Sequence, residues 1–171
     1  QNEQDSRNYG KFALMPTFEP SNQQECYDMA FHAFDMSERY QIPILMRLTT
    51  RLSHSRSGVL PKNPLEQNEL RLPEDKRQFV LLPAIARKRY KMLLANQNKF
   101  EQESETSPFN SYHEGSDKTT GVIACGIAYN YLMENFIGTQ CPYPVLKISQ
   151  YPLPRKQIEK ITSECDTVLV L

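Results

Sequence analysis

The chain has 171 residues and a formal net charge of zero, so no field of one sign singles out a nucleic acid as partner. No apolar run approaches the roughly 18 residues a membrane helix needs, and the polar start carries no charged-then-apolar leader. Cys26, Cys125, Cys141 and Cys165 form no C-x-x-C pair, which argues against a structural zinc or an iron–sulfur cluster and for free thiols in a reducing cytoplasm.

In chain order, residues 1–10 (Q-N-E-Q-D-S-R-N-Y-G) are almost wholly polar and read as a loop or helix start. The apolar run 12–18, broken by Pro16, predicts a strand. Ser21 followed by Gln24 is a capping-box pattern, and a helix runs from there to about Tyr40. Its inward stripe is Cys26, Met29, Ala30, Ala33 and Ser37, at three- and four-residue steps. His32 lies beside that stripe and reads as a packed or surface histidine, because no second His or Cys stands at metal spacing.

Ile44, Leu45, Met46 and Leu48 follow Pro43 as a short apolar run, the pattern of a buried strand. With the preceding strand and helix this makes a β-α-β unit. Directly behind it come Thr49, Thr50, Arg51, Ser53, His54, Ser55 and Arg56. In open α/β sheets, ligands sit just beyond the carboxyl ends of parallel strands. This cluster therefore reads either as a group facing a ligand or neighbouring domain, or as a solvated loop with ordinary charges.

From Val59 to Asp117 the texture changes. Pro61, Pro64 and Pro73 interrupt a polar stretch that cannot be a long helix. Pro83 is placed to start a helix spanning 83–100, with Ala86, Tyr90, Leu93, Gln97 and Phe100 on one face. Arg87, Lys88, Arg89 and Lys91 read as a solvated face, since Glu101, Glu103 and Glu105 follow. Residues 104–117 read as a loop with His113 exposed.

The last third predicts β-α-β-α-β: strands at 122–125, 145–148 and 167–171, and helices at 126–137 and 155–163. That is the order of a parallel, doubly wound sheet. Gly121 and Gly126 flank the first of these strands but make no G-x-G-x-x-G fingerprint. The first half has too few elements to cover both faces of a parallel sheet, and the chain stops on Val168-Leu169-Val170-Leu171. The expectation is a piece of a larger protein: the end of one α/β domain, a connector, and the start of another.

Five segments carry a family resemblance: Q-N-E-Q-D-S-R (1–7), E-P-S-N-Q-Q-E-C-Y-D-M (19–29), I-P-I-L-M-R-L-T-T-R-L-S-H-S-R (42–56), P-A-I-A-R-K-R-Y (83–90) and Y-P-L-P-R-K-Q-I (151–158). Together they resemble the large (alpha) subunits of the indolepyruvate:ferredoxin oxidoreductase family, over nearly the whole chain and most weakly at 59–78 and 101–117. Arg51-Leu52-Ser53-His54 is also similar to the R-T-S-H segment of pyruvate:ferredoxin oxidoreductases, with Leu52 in place of Thr.

The resemblance implies oxidative decarboxylation of aryl 2-oxoacids to acyl-coenzyme A, with electrons passed to ferredoxin. It implies thiamine diphosphate, Mg2+ and 4Fe-4S clusters in the parent enzyme, a small (beta) partner subunit, and neither a nucleic-acid nor a membrane partner. Residues 1–58 would end a thiamine-diphosphate domain of the pyrimidine-binding type, 59–117 would be the connector, and 118–171 would start a transketolase C-terminal-like parallel α/β domain. Gln1, Asn2, Glu3 and Asp5 would lie near the cofactor and substrate cleft, and Arg51, Ser53 and His54 behind the next strand end, none with an assigned catalytic role. No Gly here is followed by Asp, so the family's Gly-Asp-Gly magnesium signal is missing, and the chain by itself is expected to bind no cofactor and to be inactive. Two readings from other classes stand beside this one: a non-catalytic transketolase-like assembly module, and a small-ligand-binding Rossmann-like protein.

Overall fold

The structure is a computed structural model that describes residues 5–70 and 72–171. Its helices are α1 (Tyr9–Ala13), α2 (Gln23–Tyr40), α3 (Thr50–His54), α4 (Pro83–Ala95), α5 (Gln97–Glu105), α6 (Ala128–Glu134) and α7 (Arg155–Glu164). Its strands are β1 (Thr17–Phe18), β2 (Leu45–Met46), β3 (Ser111–His113), β4 (Thr120–Cys125), β5 (Val145–Ile148), β6 (Gln150–Tyr151) and β7 (Thr167–Val170). They form a three-stranded sheet in the order β2-β1-β6 and a four-stranded sheet in the order β3-β5-β4-β7. None of the described helices is long and apolar enough to cross a membrane.

The expected β-α-β unit is present as β1-α2-β2, with β1 and β2 parallel (Thr17↔Leu45). Its first strand is shorter than 12–18. Residues Tyr9–Ala13 are helical, Leu14 turns the chain in the left-handed region (φ 58°) and Phe12 is 90% exposed. Gly10 lets α1 fold onto β1, since a Cβ there would stand 1.8 Å from Thr17 Oγ1. The second strand is shorter and less buried than 44–48. As the edge of its sheet, β2 has one neighbour, and Leu48 is left 45% exposed.

The cap of α2 sits one residue later than the Ser21–Gln24 pattern. Asn22 is the N-cap, its side chain accepting from the Glu25 amide at 2.9 Å, while Glu25 Oε2 accepts from both the amide and hydroxyl of Ser21 at 2.8 Å. Met29 and Met36 of α2 are fully buried with Phe18, Phe100 and Phe109, and Ala33 and Tyr40 pack beside them. Met36 belongs to the inward stripe that the sequence pattern drew without it. Cys26, Ala30 and Ser37 are half-buried.

The single helix expected over 83–100 is two helices. It breaks at Asn96 (φ −89°, ψ −5°), and the second piece continues to Glu105. No residue of α4 is fully buried, whereas Phe100 of α5 enters the first core. Residues 104–117 are correspondingly not all loop: they contain the end of α5 and the edge strand β3, antiparallel to β5.

The last third gives the expected β4-α6-β5-α7-β7 with all three strands parallel, the first strand lying between the other two. Its core is Ile123, Leu146, Ile148 and Ile161. Helix α6 is shorter than 126–137. The unexpected element is β6. Immediately after β5, the chain leaves the four-stranded sheet and pairs antiparallel with β1 of the other sheet (Phe18↔Gln150). The three-stranded sheet therefore takes strands from both halves, and β6 stitches them. The stitch is fixed by Asn110, whose Oδ1 accepts from the amides of Ser149 and Gln150 and whose Nδ2 lies 3.0 Å from the carbonyls of Ser104 and Gln150.

Candidate functional site

Of the residues singled out by the sequence, Gln1, Asn2 and Glu3 lie outside the described residues. Asp5 is exposed and closed onto Arg7, which donates through Nε (2.9 Å), Nη2 (2.7 Å) and its own amide (3.1 Å). These bonds hold the Asp5 carboxyl well below the usual carboxylate range.

Arg51, Ser53 and His54 occupy the one-turn helix α3 rather than an irregular loop. Thr49 caps it, its hydroxyl accepting from the Leu52 amide at 3.4 Å. Leu52 turns inward and is 7% exposed, which sends Arg51, Ser53 and His54 outward to solvent in this chain. Ser53 Oγ donates to the Thr49 carbonyl at 3.1 Å. The Arg51 guanidinium lies 5.6 Å from the ring centre of Tyr131 on α6, so α3 meets the second half of the chain there. Among the described residues no hydrogen bond or ion pair joins Asp5 to this turn.

What stands at the junction of the two sheets is a set the sequence reading did not name. Arg47, which continues β2 by donating its amide to the Phe18 carbonyl at 2.8 Å, is paired through Nη1 with Glu19. Its Nε donates to Ser6 Oγ at 3.3 Å. The other Glu19 oxygen accepts from the Tyr151 hydroxyl of β6 at 3.4 Å, and Tyr151 and Cys125 both pack against the second core. Burial pushes Tyr151 far above the ordinary phenol value and Cys125 above the ordinary thiol value, so both stay protonated at neutral pH. Gly126 closes the set from above. It has φ +52°, and a Cβ there would come within 2.5 Å of Glu19 Cγ.

A second pair follows the same logic. Lys147 in the middle of β5 is bonded to Glu25 at the start of α2 and lies 5.1 Å from the Tyr129 ring centre. Asn130 of α6 donates to the Ser21 carbonyl at 2.8 Å alongside it. The signal for both pairs was in the sequence: Arg47 and Lys147 each interrupt an apolar strand run. A charge in such a run needs a partner, because an unpaired buried charge costs several kcal/mol.

An open cleft lies elsewhere among the described residues. It has a volume of about 570 Å3 and runs along the β3 edge between His113, Glu114, Met133, Gln140, Cys141 and Tyr143. It touches none of the predicted site residues. His113 Nε2 is already engaged there, with Ser111 Oγ at 2.9 Å and Tyr129 Oη at 3.2 Å.

No protein-family profile matches the chain. Whole-length relatives do. The indolepyruvate oxidoreductase subunit IorA of Archaeoglobus fulgidus is 41% identical over 175 residues, that of Methanothermobacter thermautotrophicus 37% over 174, and that of Thermococcus kodakarensis 33% over 180. Each match covers 100% of this chain and 28% of the relative. Among solved structures, the fold is similar to the 2-oxoglutarate:ferredoxin oxidoreductase from Magnetococcus marinus with 2-oxoglutarate, coenzyme A and succinyl-CoA bound. The TM-score is 0.57 at 12% identity, over 91% of this chain and 34% of that one. By sequence, the chain is thus similar along its whole length to IorA subunits of indolepyruvate oxidoreductase, and it spans 28% of the length of these relatives.

Proposed function

We propose that the chain is part of a 2-oxoacid:ferredoxin oxidoreductase of the indolepyruvate type, a cytoplasmic enzyme that decarboxylates aryl 2-oxoacids, forms the acyl-coenzyme A and reduces ferredoxin. The observation that carries this reading is identity of 33–41% over the whole chain to subunits bearing that name. The enzyme's partners are then a small subunit, ferredoxin and coenzyme A. Residues 1–58, 59–117 and 118–171 are proposed as the end of a pyrimidine-type domain, a connector, and the start of a transketolase C-terminal-like domain.

Within that enzyme, the segment that includes Gln1, Asn2, Glu3 and Asp5 is proposed to flank the cofactor and substrate cleft. Arg51, Ser53 and His54, exposed on α3, are proposed to meet it from the neighbouring strand end. Thiamine diphosphate would supply the electron sink for decarboxylation. Its Mg2+ and the 4Fe-4S clusters are proposed to be held outside the described residues. Among the described residues no three His, Cys, Asp or Glu side chains converge to hold a metal, and the four cysteines are separate and unbonded. We assign those ligands to other parts of the longer polypeptide, and propose that this chain alone is inactive.

Two measurements test the reading. Co-expressed with its small subunit, the longer polypeptide should reduce ferredoxin in a reaction dependent on indolepyruvate and coenzyme A. Absence of that turnover in a cofactor-loaded preparation would overturn the assignment. Calorimetric titration of the 171-residue chain with thiamine diphosphate and Mg2+ should give no saturable isotherm, and binding with micromolar affinity would overturn the claim that the cofactor's ligands lie elsewhere.

A further inference from the structure

Arg47 is built in more tightly than a surface charge. Its side chain is 19% exposed and that of its partner Glu19 is 12% exposed. Glu19 is itself enclosed by Arg47, by the Tyr151 hydroxyl and by the Gly126 backbone, which leaves no room for a Cβ. The result is a line of hydrogen bonds from β6 to the start of the chain: Tyr151, Glu19, Arg47, Ser6. Ser6 is the middle residue of the Asp5–Arg7 turn, and its carbonyl receives the Tyr9 amide at 3.2 Å.

The charges at this place cancel, Asp5 and Glu19 against Arg7 and Arg47. The cluster is therefore poorly suited to draw in a free anion, and well suited to fix a geometry. A planar guanidinium with several donors can hold a carboxylate and a hydroxyl at once, which an ammonium on a flexible stem cannot do at the same angles. We propose that Arg47 is a positioning residue for the Asp5–Arg7 segment, holding it through Ser6 while Glu19, itself hydrogen-bonded by Tyr151 of β6, fixes the guanidinium. The inference rests on the functional reading above, in which this segment flanks the 2-oxoacid.

The test has two arms. In the 171-residue chain, hydrogen exchange at the Tyr9 amide reads the segment directly. Arg47→Ala and Ser6→Ala should each speed it about tenfold, the weight of one hydrogen bond to a charged group. Ser6→Ala guards against a fold defect, since it deletes one hydroxyl near the surface. Unchanged exchange in both variants overturns the proposal whatever the enzyme does.

In the longer enzyme with its partner subunit, Arg47→Ala and Ser6→Ala should raise KM for the 2-oxoacid about tenfold and leave kcat within about twofold, the pattern of lost uniform binding. Arg47→Lys keeps an ion pair with Glu19 but not the donor to Ser6. It should restore thermal stability without restoring KM, whereas a merely structural arginine would be rescued in both. Faster exchange with wild-type KM overturns the role in substrate positioning. A wild-type enzyme with no 2-oxoacid turnover overturns the functional reading instead, and the exchange arm tells the two failures apart.

Discussion

Asn110 shows how much of this fold hangs on one side chain. It is 6% exposed and lies among the buried polar residues Ser104, Ser107, Ser149 and Gln150, where each amide and carbonyl needs a protein partner. Asn110→Ala strands the Ser149 and Gln150 amides and should cost roughly 3 kcal/mol or more, whereas Ser107→Ala, which removes the bond to Gln150 Oε1 and strands the Phe109 amide alone, should cost about 2 kcal/mol. Chemical denaturation of the two variants checks the ranking. Equal costs would show that water replaces Asn110.

His32 carries a pH-dependent part of stability. Its ring meets Phe18 and Phe109 edge-on, with centroids 5.6 and 5.5 Å away, and burial holds it below the ordinary imidazole value of 6.5. On acidification the unfolded chain takes up this proton first. The stabilisation is complete above about pH 6.5 and is lost as the pH falls through and below it. His32→Phe should flatten the stability profile between about pH 7 and pH 5. A profile parallel to the wild type would show that the titration lies elsewhere.

At the scale of elements, the start of α2 is where local capping and long-range pairing meet. Glu25 closes the cap on Ser21 through one oxygen and holds Lys147 of β5 through the other. Asn22→Ala removes a cap alone and should cost about 1 kcal/mol. Glu25→Ala also leaves Lys147, its side chain 9% exposed, without its carboxylate, and should cost about 3–5 kcal/mol. Replacing both partners, as Glu25→Met with Lys147→Met, should recover a large part of that loss. Thermal melts of the three variants give the order, and a double variant no better than Glu25→Ala would refute the account. The helix itself was legible from its three- and four-residue spacing. Its cap was not, because Ser21 and Asn22 are both good caps with a Gln or Glu three residues on, and only the position of Lys147 favours the second.

For the whole molecule, the exposed stretch 59–82 and the β6 stitch make opposing demands. Residues 59–82 contain no helix or strand among those described and expose Leu60, Leu65, Leu70, Phe79 and Leu81. Segments of this kind are cut first by proteases. Limited trypsin should cleave after Lys62, Lys76 or Arg77. The two pieces should still elute together, because the β1–β6 ladder, the Glu25–Lys147 pair and the packing of Phe18 against Phe109 all cross the cut. Separation of the nicked pieces would show that the two halves fold independently.

The sequence by itself determined what depends on near neighbours: the period of α2, the parallel β4-α6-β5-α7-β7 order, and the segments that carry the family resemblance. Hydrophobic spacing and turn residues act within a few positions, so one chain is enough to read them. It did not determine which strand ends would meet. Only the tertiary structure decided that β6 leaves the sheet of β5 to pair with β1, that α3 turns Arg51 and His54 outward by burying Leu52, and that Arg47 and Glu19 join Tyr151 of β6 at the junction. Each of these is a choice among pairings of similar local quality. It is settled by which arrangement leaves the fewest buried charges and amides without partners, a sum taken over the whole molecule.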